Sequence, residues 1–196
     1  MNCCQFNPDI HGISMIEALV TLVILSLGLL GLAGLMSESV RATMESYQRV
    51  QALVMIQDMA ARMTANRSVA SCYAITTDLT NGSPYLGTGV TSPPVCTSGT
   101  ANQQSRATND ISEWNTLLQG SGEKTAATGG TNIGGMIGTR GCISLIAANT
   151  YLISIAWQGV GKTSAPLTGQ TCGKNLYGDE AYRRVISLTL QIPVLS

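Results

Sequence analysis

An α+β fold is predicted: a long N-terminal helix, membrane-spanning in its first half, packed on a small C-terminal antiparallel sheet. Three observations predict it. The run from Ala18 to Ser37 holds 20 residues and no charge. From Ser37 to Asn66 there is neither Pro nor Gly, and acid–base neighbours recur three or four residues apart, the spacing of one helix face. In the last third, Tyr151, Ile153, Ile155 and Trp157, then Ile186, Leu188, Leu190 and Ile192, occupy every second position, the period of a half-buried strand.

At about 1.5 Å per residue the apolar run spans a hydrocarbon core of about 30 Å. A secretory signal core is shorter, about 7–15 residues behind a basic start, and the first twelve residues, MNCCQFNPDIHG, hold no Lys or Arg. An uncleaved single-span anchor is one reading. A signal peptide cut after Ala33 is another, since Gly31, Leu32 and Ala33 are acceptably small at the right places. Beyond the apolar run the pairs Glu38/Arg41, Arg41/Glu45, Glu45/Arg49 and Asp58/Arg62 favour continued helix, each by about 0.2–0.5 kcal/mol. Leu53, Ile56, Ala60 and Met63 mark its expected buried stripe. A single helix from about Ser14 to Arg67 would be about 80 Å long. Gly28, Gly31 and Gly34 each weaken it by about 1 kcal/mol relative to alanine, which close packing of helices in a membrane explains best.

Glu17 separates these readings. A carboxylate well inside a bilayer is unfavourable by about 2.5–3.5 kcal/mol, and a generic anchor has no use for one. Cleavage between Gly12 and Ile13 would create an α-ammonium one helical turn before it, and a desolvated carboxylate depends strongly on such a partner. Gly12 followed by Ile13-Ser14-Met15-Ile16-Glu17 and a 20-residue apolar helix resembles the signal of type IV prepilins. The resemblance implies that a prepilin peptidase cuts after Gly12 and that Ile13 is N-methylated. It also implies that Glu17 pairs with the N-terminus of a neighbouring subunit during filament assembly. Position 13 is Ile where phenylalanine is usual, and the leader lacks the customary basic residue.

Six cysteines are present, and Cys72, Cys96, Cys142 and Cys172 are too widely spaced for a C-x-x-C metal or redox motif. Disulfides in an oxidising compartment fit them better. Arg41 and Arg49, beyond the helix, would favour a cytoplasmic C-terminus. Two arginines are a weak bias, and the cysteines argue for a periplasmic one. The expected organisation is a leader at 1–12, a transmembrane and assembly helix at 13–36, an amphipathic continuation at 37–67 and a periplasmic domain at 68–196.

Within that domain Asn109-Asp110 reads as an N-cap, with Ile111, Trp114, Leu117 and Leu118 as the apolar stripe of a short helix. Residues 125–141 are loop by glycine content, with neither G-x-G-x-x-G nor a P-loop lysine. Cys142 to Ile146 is a short apolar strand, Ala147–Thr150 a turn, and 158–181 a long loop. These strands make a small antiparallel sheet with one buried face. Four cysteines allow three pairings, and sequence does not choose among them. Cys172 in that long loop could reach Cys142 and fasten it to the sheet, which would leave Cys72 and Cys96 to close the loop after the helix.

The stretches QDMAARMTANR, EWNTLL, RGCISL, YLISIAWQG, Cys172 and YRRVISLTLQI together resemble the PilV family of minor pilins over nearly the whole chain, with 73–108 matching nothing. That resemblance implies a pilin-like fold and a low-abundance subunit that joins other minor pilins to initiate and prime type IV pilus assembly, at the pilus tip. Implied partners are other minor pilins, the major pilin, the inner-membrane assembly platform, the prepilin peptidase and a tip adhesin. The implied location is the inner membrane, single-pass with the C-terminal domain in the periplasm, and then the extracellular pilus. A type II secretion pseudopilin shares the leader and helix. A membrane-anchored or secreted periplasmic binding domain is the reading from another class.

Other chemistry finds little support. Net charge is zero, 11% of residues are charged, and no basic run exceeds Arg183-Arg184, so there is no electrostatic footprint for nucleic acid. The only histidine, His11, would leave with the leader, removing imidazole acid–base, triad and zinc schemes. Asp179-Glu180 read as a solvated loop rather than a catalytic or calcium-binding pair, and Lys124, Lys162 and Lys174 as polar-loop lysines. No enzyme activity, cofactor or metal is expected. Asn66 and Asn81 fit the N-glycosylation sequon, a pattern too short to carry a function.

Overall fold

A single helix, α1, runs from Met15 to Ala65 without a break. The computed structural model describes residues 14–126 and 132–193, so Gly12, Ile13 and the 127–131 part of the glycine-rich run lie outside the described residues. Two compact units divide the chain, Met1–Thr43 and Met44–Ser196.

The described part of the first unit is helix with every side chain exposed. It is long and apolar enough to cross a membrane, and none of its apolar window is buried. The hydroxyls within the window turn back on the helix: Thr21 Oγ1 donates to the Ala18 carbonyl at 2.9 Å and Ser26 Oγ to that of Val23 at 2.8 Å. Such internal bonds are what a helix needs where no water can satisfy a hydroxyl.

In the second unit α1 buries Ala52, Ile56, Met59 and Met63, a four–three–four spacing that keeps one face inward. The stripe differs from the one expected. Leu53 is 42% exposed because it lies one step, about 100°, around the helix from Ala52, and Ala60 is only half-buried. After Ala65 the chain tightens into a 3-10 segment, Arg67–Tyr73, kinked at Val69 (φ −122°). Asn66 is buried there, its amide donating to the Gln103 carbonyl at 3.0 Å and the Tyr73 hydroxyl at 3.3 Å.

Two elements begin in the stretch 73–108. Strand β1 is only Leu86–Gly87. Helix α2 spans Ala101–Leu118 and is capped by Thr100, whose side chain accepts from the Gln103 amide while the Gln103 side chain returns to Thr100. This corrects the expected start at Asn109-Asp110. The capping box of Thr100 and Gln103 satisfies two orphan donors at once, and Asp110 is a buried mid-helix residue whose carboxylate faces Arg62 and Tyr73. Ala107, Ile111, Trp114 and Leu118 form the buried stripe.

Strands β2 (Arg140–Ala147), β3 (Thr150–Gln158) and β4 (Arg183–Gln191) complete an antiparallel sheet in the order β1-β2-β3-β4. Ala147 pairs with Thr150, and the turn between them places Asn149 at φ 54°, a conformation that asparagine tolerates. Ile143, Tyr151, Ile153, Ile155 and Trp157 join α1 and α2 in one core. Gly141 belongs at its centre, because a Cβ there would stand 2.4 Å from the Trp114 ring.

The single buried face expected of the sheet is also corrected. Cys142 and Ala156 on the opposite face form a second cluster with Cys172 and Tyr177, so the long loop folds back over it. On β4 the expected inward row is thin: Ile186 and Leu190 are half-buried and Leu188 is exposed, since β4 is an edge strand. Disulfides join Cys72 to Cys96 and Cys142 to Cys172, with Cα separations of 5.2 and 5.8 Å. The first ties the 3-10 segment to the approach to α2, and the second ties the loop to β2. Reducing them is expected to lower the unfolding free energy by about 2–4 kcal/mol per bridge. Urea titrations with and without reductant test this, and superimposable curves would exclude a stabilising role.

Candidate assembly helix and its anchoring domain

The first turn of α1 carries Glu17, the one charged residue between Ser14 and Ser37. The backbone N–H groups of Glu17 and Ala18 both reach the Ser14 carbonyl, at 3.0 and 3.2 Å, which opens the helix just ahead of the carboxylate. Around it Met15 is 92% exposed and Ile16 70%, and the bare apolar surface continues through Leu35 and Met36. An uninterrupted apolar surface of this extent needs lipid or other helices to cover it. Gly28, Gly31 and Gly34 have open space where a Cβ would stand. No described residue requires glycine at those positions, whereas close approach of a second helix would.

From Met44 onward the same helix is held by polar contacts around a buried core. Glu45 accepts from Arg184 at 2.9 Å, and the Arg184 guanidinium also donates to the carbonyls of Gly161 (2.7 Å) and Ala181 (2.9 Å). The Trp157 indole N–H donates to Gln48 Oε1 at 3.1 Å, Gln51 donates to the Gly134 carbonyl, and the Trp114 indole N–H reaches the Met55 carbonyl at 3.0 Å. Arg62 joins Asp58 (2.9 Å), Asp110 (3.1 Å) and Glu113 (2.6 Å). Burial opposes the Arg62 charge, but Glu113 and Asp58 raise its pKa above the ordinary arginine value. Tyr73 donates to Asp110 at 2.6 Å, and burial followed by that carboxylate pushes the phenol up, so it remains a donor.

Sequence reasoning noted Arg183-Arg184 only as the longest basic run. Their use follows from strand geometry, since neighbours on a strand face opposite ways. Arg184 pairs across the sheet with Trp157 and reaches α1. Arg183 faces the other way, is 3% exposed, and holds the long loop through the carbonyls of Gln170 (2.6 Å) and Cys172 (3.1 Å) and through Glu180. The sequence signal was two arginines inside an alternating strand, one on each face. Asp179 and Glu180, read as solvated, have local work: Asp179 caps the turn Glu180–Tyr182 and pairs with Lys162 at 2.8 Å, and Glu180 pairs with Arg183. Among the described residues no group of three or more His, Cys, Asp or Glu is placed to hold a metal ion.

The Arg184 guanidinium holds the Glu45 carboxyl below its ordinary value of 4.5. A depressed carboxyl pKa adds stability above the unfolded-state pKa, and that increment is lost as pH falls through the folded value. Wild type is therefore expected to exceed Glu45→Gln in stability at pH 7, with the gap closing as pH falls from about 4.5. Urea unfolding at pH 7 and pH 3 reads it, and a gap independent of pH would exclude the ion pair as its source.

A long helix, apolar and bare in one unit and packed in the other against a small disulfide-tied antiparallel sheet, is a pilin-like α+β architecture. The family model Tt1218-like, described as type IV pilin Tt1218, matches residues 34–111, and that match supports a type IV pilin. It covers α1 from Gly34 onward, the 3-10 segment, β1 and α2 as far as Ile111. No curated protein and no solved structure matches the chain.

Proposed function

We propose that this chain is a minor pilin that helps initiate and prime type IV pilus assembly within a minor-pilin complex at the pilus tip. The observation that carries the reading is the single carboxylate, Glu17, in the first turn of a bare apolar helix whose continuation is built into a folded domain. The prepilin peptidase would remove residues 1–12 and the new Ile13 terminus would be N-methylated. Glu17 would then receive the ammonium of a neighbouring subunit as helices leave the bilayer for the filament. Desolvation makes that pairing decisive, because a buried carboxylate without a counter-charge is strongly disfavoured. Gly28, Gly31 and Gly34 would be the points of closest helix approach. The folded domain would lie in the periplasm until assembly, where two disulfides suit the compartment. Its partners would be other minor pilins, the major pilin and the inner-membrane platform, with an adhesin at the tip.

The test is the N-terminus of the protein recovered from the membranes of its own host, by intact mass and N-terminal peptide sequencing. A chain that begins at N-methylated Ile13 is expected. One beginning at Met1 or Gly34 would leave Glu17 without its partner and end the pilin reading in favour of an anchored or secreted domain.

A further inference from the structure

A cavity of about 350 Å³ opens where the 3-10 segment, the β2–β3 turn and the end of β4 meet. Its lining divides by chemistry. Ala70, Ile192, Pro193 and Tyr151 are its mainly apolar lining residues, and Arg67, Ser68, Ser71 and Asn149 its polar ones. Among the described residues no carboxylate lines it. Arg67 takes part in none of the ion pairs among the described residues.

Tyr151 marks this as more than a surface dimple. The residue is only 4% exposed, and its hydroxyl makes no hydrogen bond with any described residue. Buried polar groups are normally paired. The Tyr151 hydroxyl is not among the fully enclosed side-chain atoms left without a partner, and Tyr151 is one of the residues that line this cavity. Burial pushes the phenol up from its ordinary value, so at neutral pH it offers a proton rather than a charge. Among the described residues, one guanidinium, one phenol, two hydroxyls and one amide side chain thus border a space lined by no carboxylate.

We infer that this cavity is a binding site for a small hydroxylated monocarboxylate of the hexuronic acid type. A single guanidinium matches a single carboxylate in bidentate geometry. The hydroxyls and the Asn149 amide can exchange hydrogen bonds with a sugar's hydroxyls. The apolar lining residues suit the C–H face of a pyranose ring, and the volume is in the range of small-molecule sites. The site lies in the folded unit and does not rest on the pilin reading.

The experiment is calorimetric titration of the full chain, solubilised in an uncharged detergent, with glucuronate and with glucose as the neutral analogue. Arg67→Gln and Tyr151→Phe are measured alongside the wild type, with thermal midpoints to show that both variants fold. Expected results are saturable glucuronate binding, little binding of glucose, and about tenfold or greater weakening in Arg67→Gln, the effect of losing a charge-assisted hydrogen bond. Tyr151→Phe is expected to weaken binding several-fold with an unchanged midpoint. The assignment is overturned by absence of saturable glucuronate binding, by equal affinity for glucose, or by an Arg67→Gln variant that binds as well as wild type.

Discussion

Glu17→Ala is expected to leave leader processing intact and to remove the protein from assembled filaments. Removing the carboxylate makes the helix a better membrane span by about 2.5–3.5 kcal/mol, so the variant still reaches the bilayer. The described residues of that unit are all exposed, so the folded domain loses no contact and its thermal midpoint stays where it was. In the proposed filament contact, what disappears is a desolvated counter-charge, and removing one partner of such a pair is typically worth about 3–5 kcal/mol. That corresponds to a loss of about two to three and a half orders of magnitude in incorporation. Immunoblots of sheared filaments and of membranes from the same cells measure both quantities. Glu17→Gln keeps the side-chain shape without the charge and is expected to behave like alanine. Wild-type amounts of either variant in filaments would refute the assembly role of the carboxylate.

Trp114→Ala is expected to be among the most destabilising single changes in the folded unit, by about 3–5 kcal/mol. The side chain is fully buried, its N–H satisfies the Met55 carbonyl of α1, and Gly141 leaves room for its ring on the sheet. One residue therefore couples α1, α2 and β2, and its deletion opens a cavity among all three. Trp114→Phe retains most of the apolar surface and removes the N–H, so about 1 kcal/mol is expected beyond the change in ring size. Urea unfolding of the oxidised full chain, followed by fluorescence of the remaining Trp157, distinguishes the two. A loss below about 1 kcal/mol for alanine would mean that the three elements are joined elsewhere.

Several features could be read before any coordinates because they depend on neighbours in the chain. The helix of Met15–Ala65 follows from an uncharged apolar run and a stretch free of Pro and Gly. β3 and β4 follow from period-two alternation, and their register sets Tyr151, Ile153, Ile155 and Trp157 opposite Leu190, Leu188, Ile186 and Arg184. The start of α2 was legible as well. Thr100 and Gln103, three residues apart, form a capping box, a local signal that the reading from Asn109-Asp110 did not use.

Other features have no local signal. β1 is two residues whose strand character consists in pairing with Arg140 and Gly141 and in the bond from the Gly87 N–H to Asn115 at 2.7 Å. Burial of Arg183 and Arg184 is likewise invisible locally, because burying a guanidinium is tolerable only when distant acceptors gather around it. The distant acceptors are Glu45, Gly161, Gln170 and Cys172, and Glu180 and Ala181, each three residues before the arginine it serves, complete the set.

By itself, then, the sequence determined the long helix, its apolar first half with the lone Glu17, and the antiparallel strands at the C-terminal end. Backbone propensity and side-chain periodicity act over a few residues and are written in the order of the chain. Only the tertiary structure decided which of three cysteine pairings forms, that both sheet faces are covered, and that Arg67, Asn149 and Tyr151 meet at one cavity. Those outcomes depend on segments tens of residues apart being brought together, and that is settled by the shared core rather than by local preference.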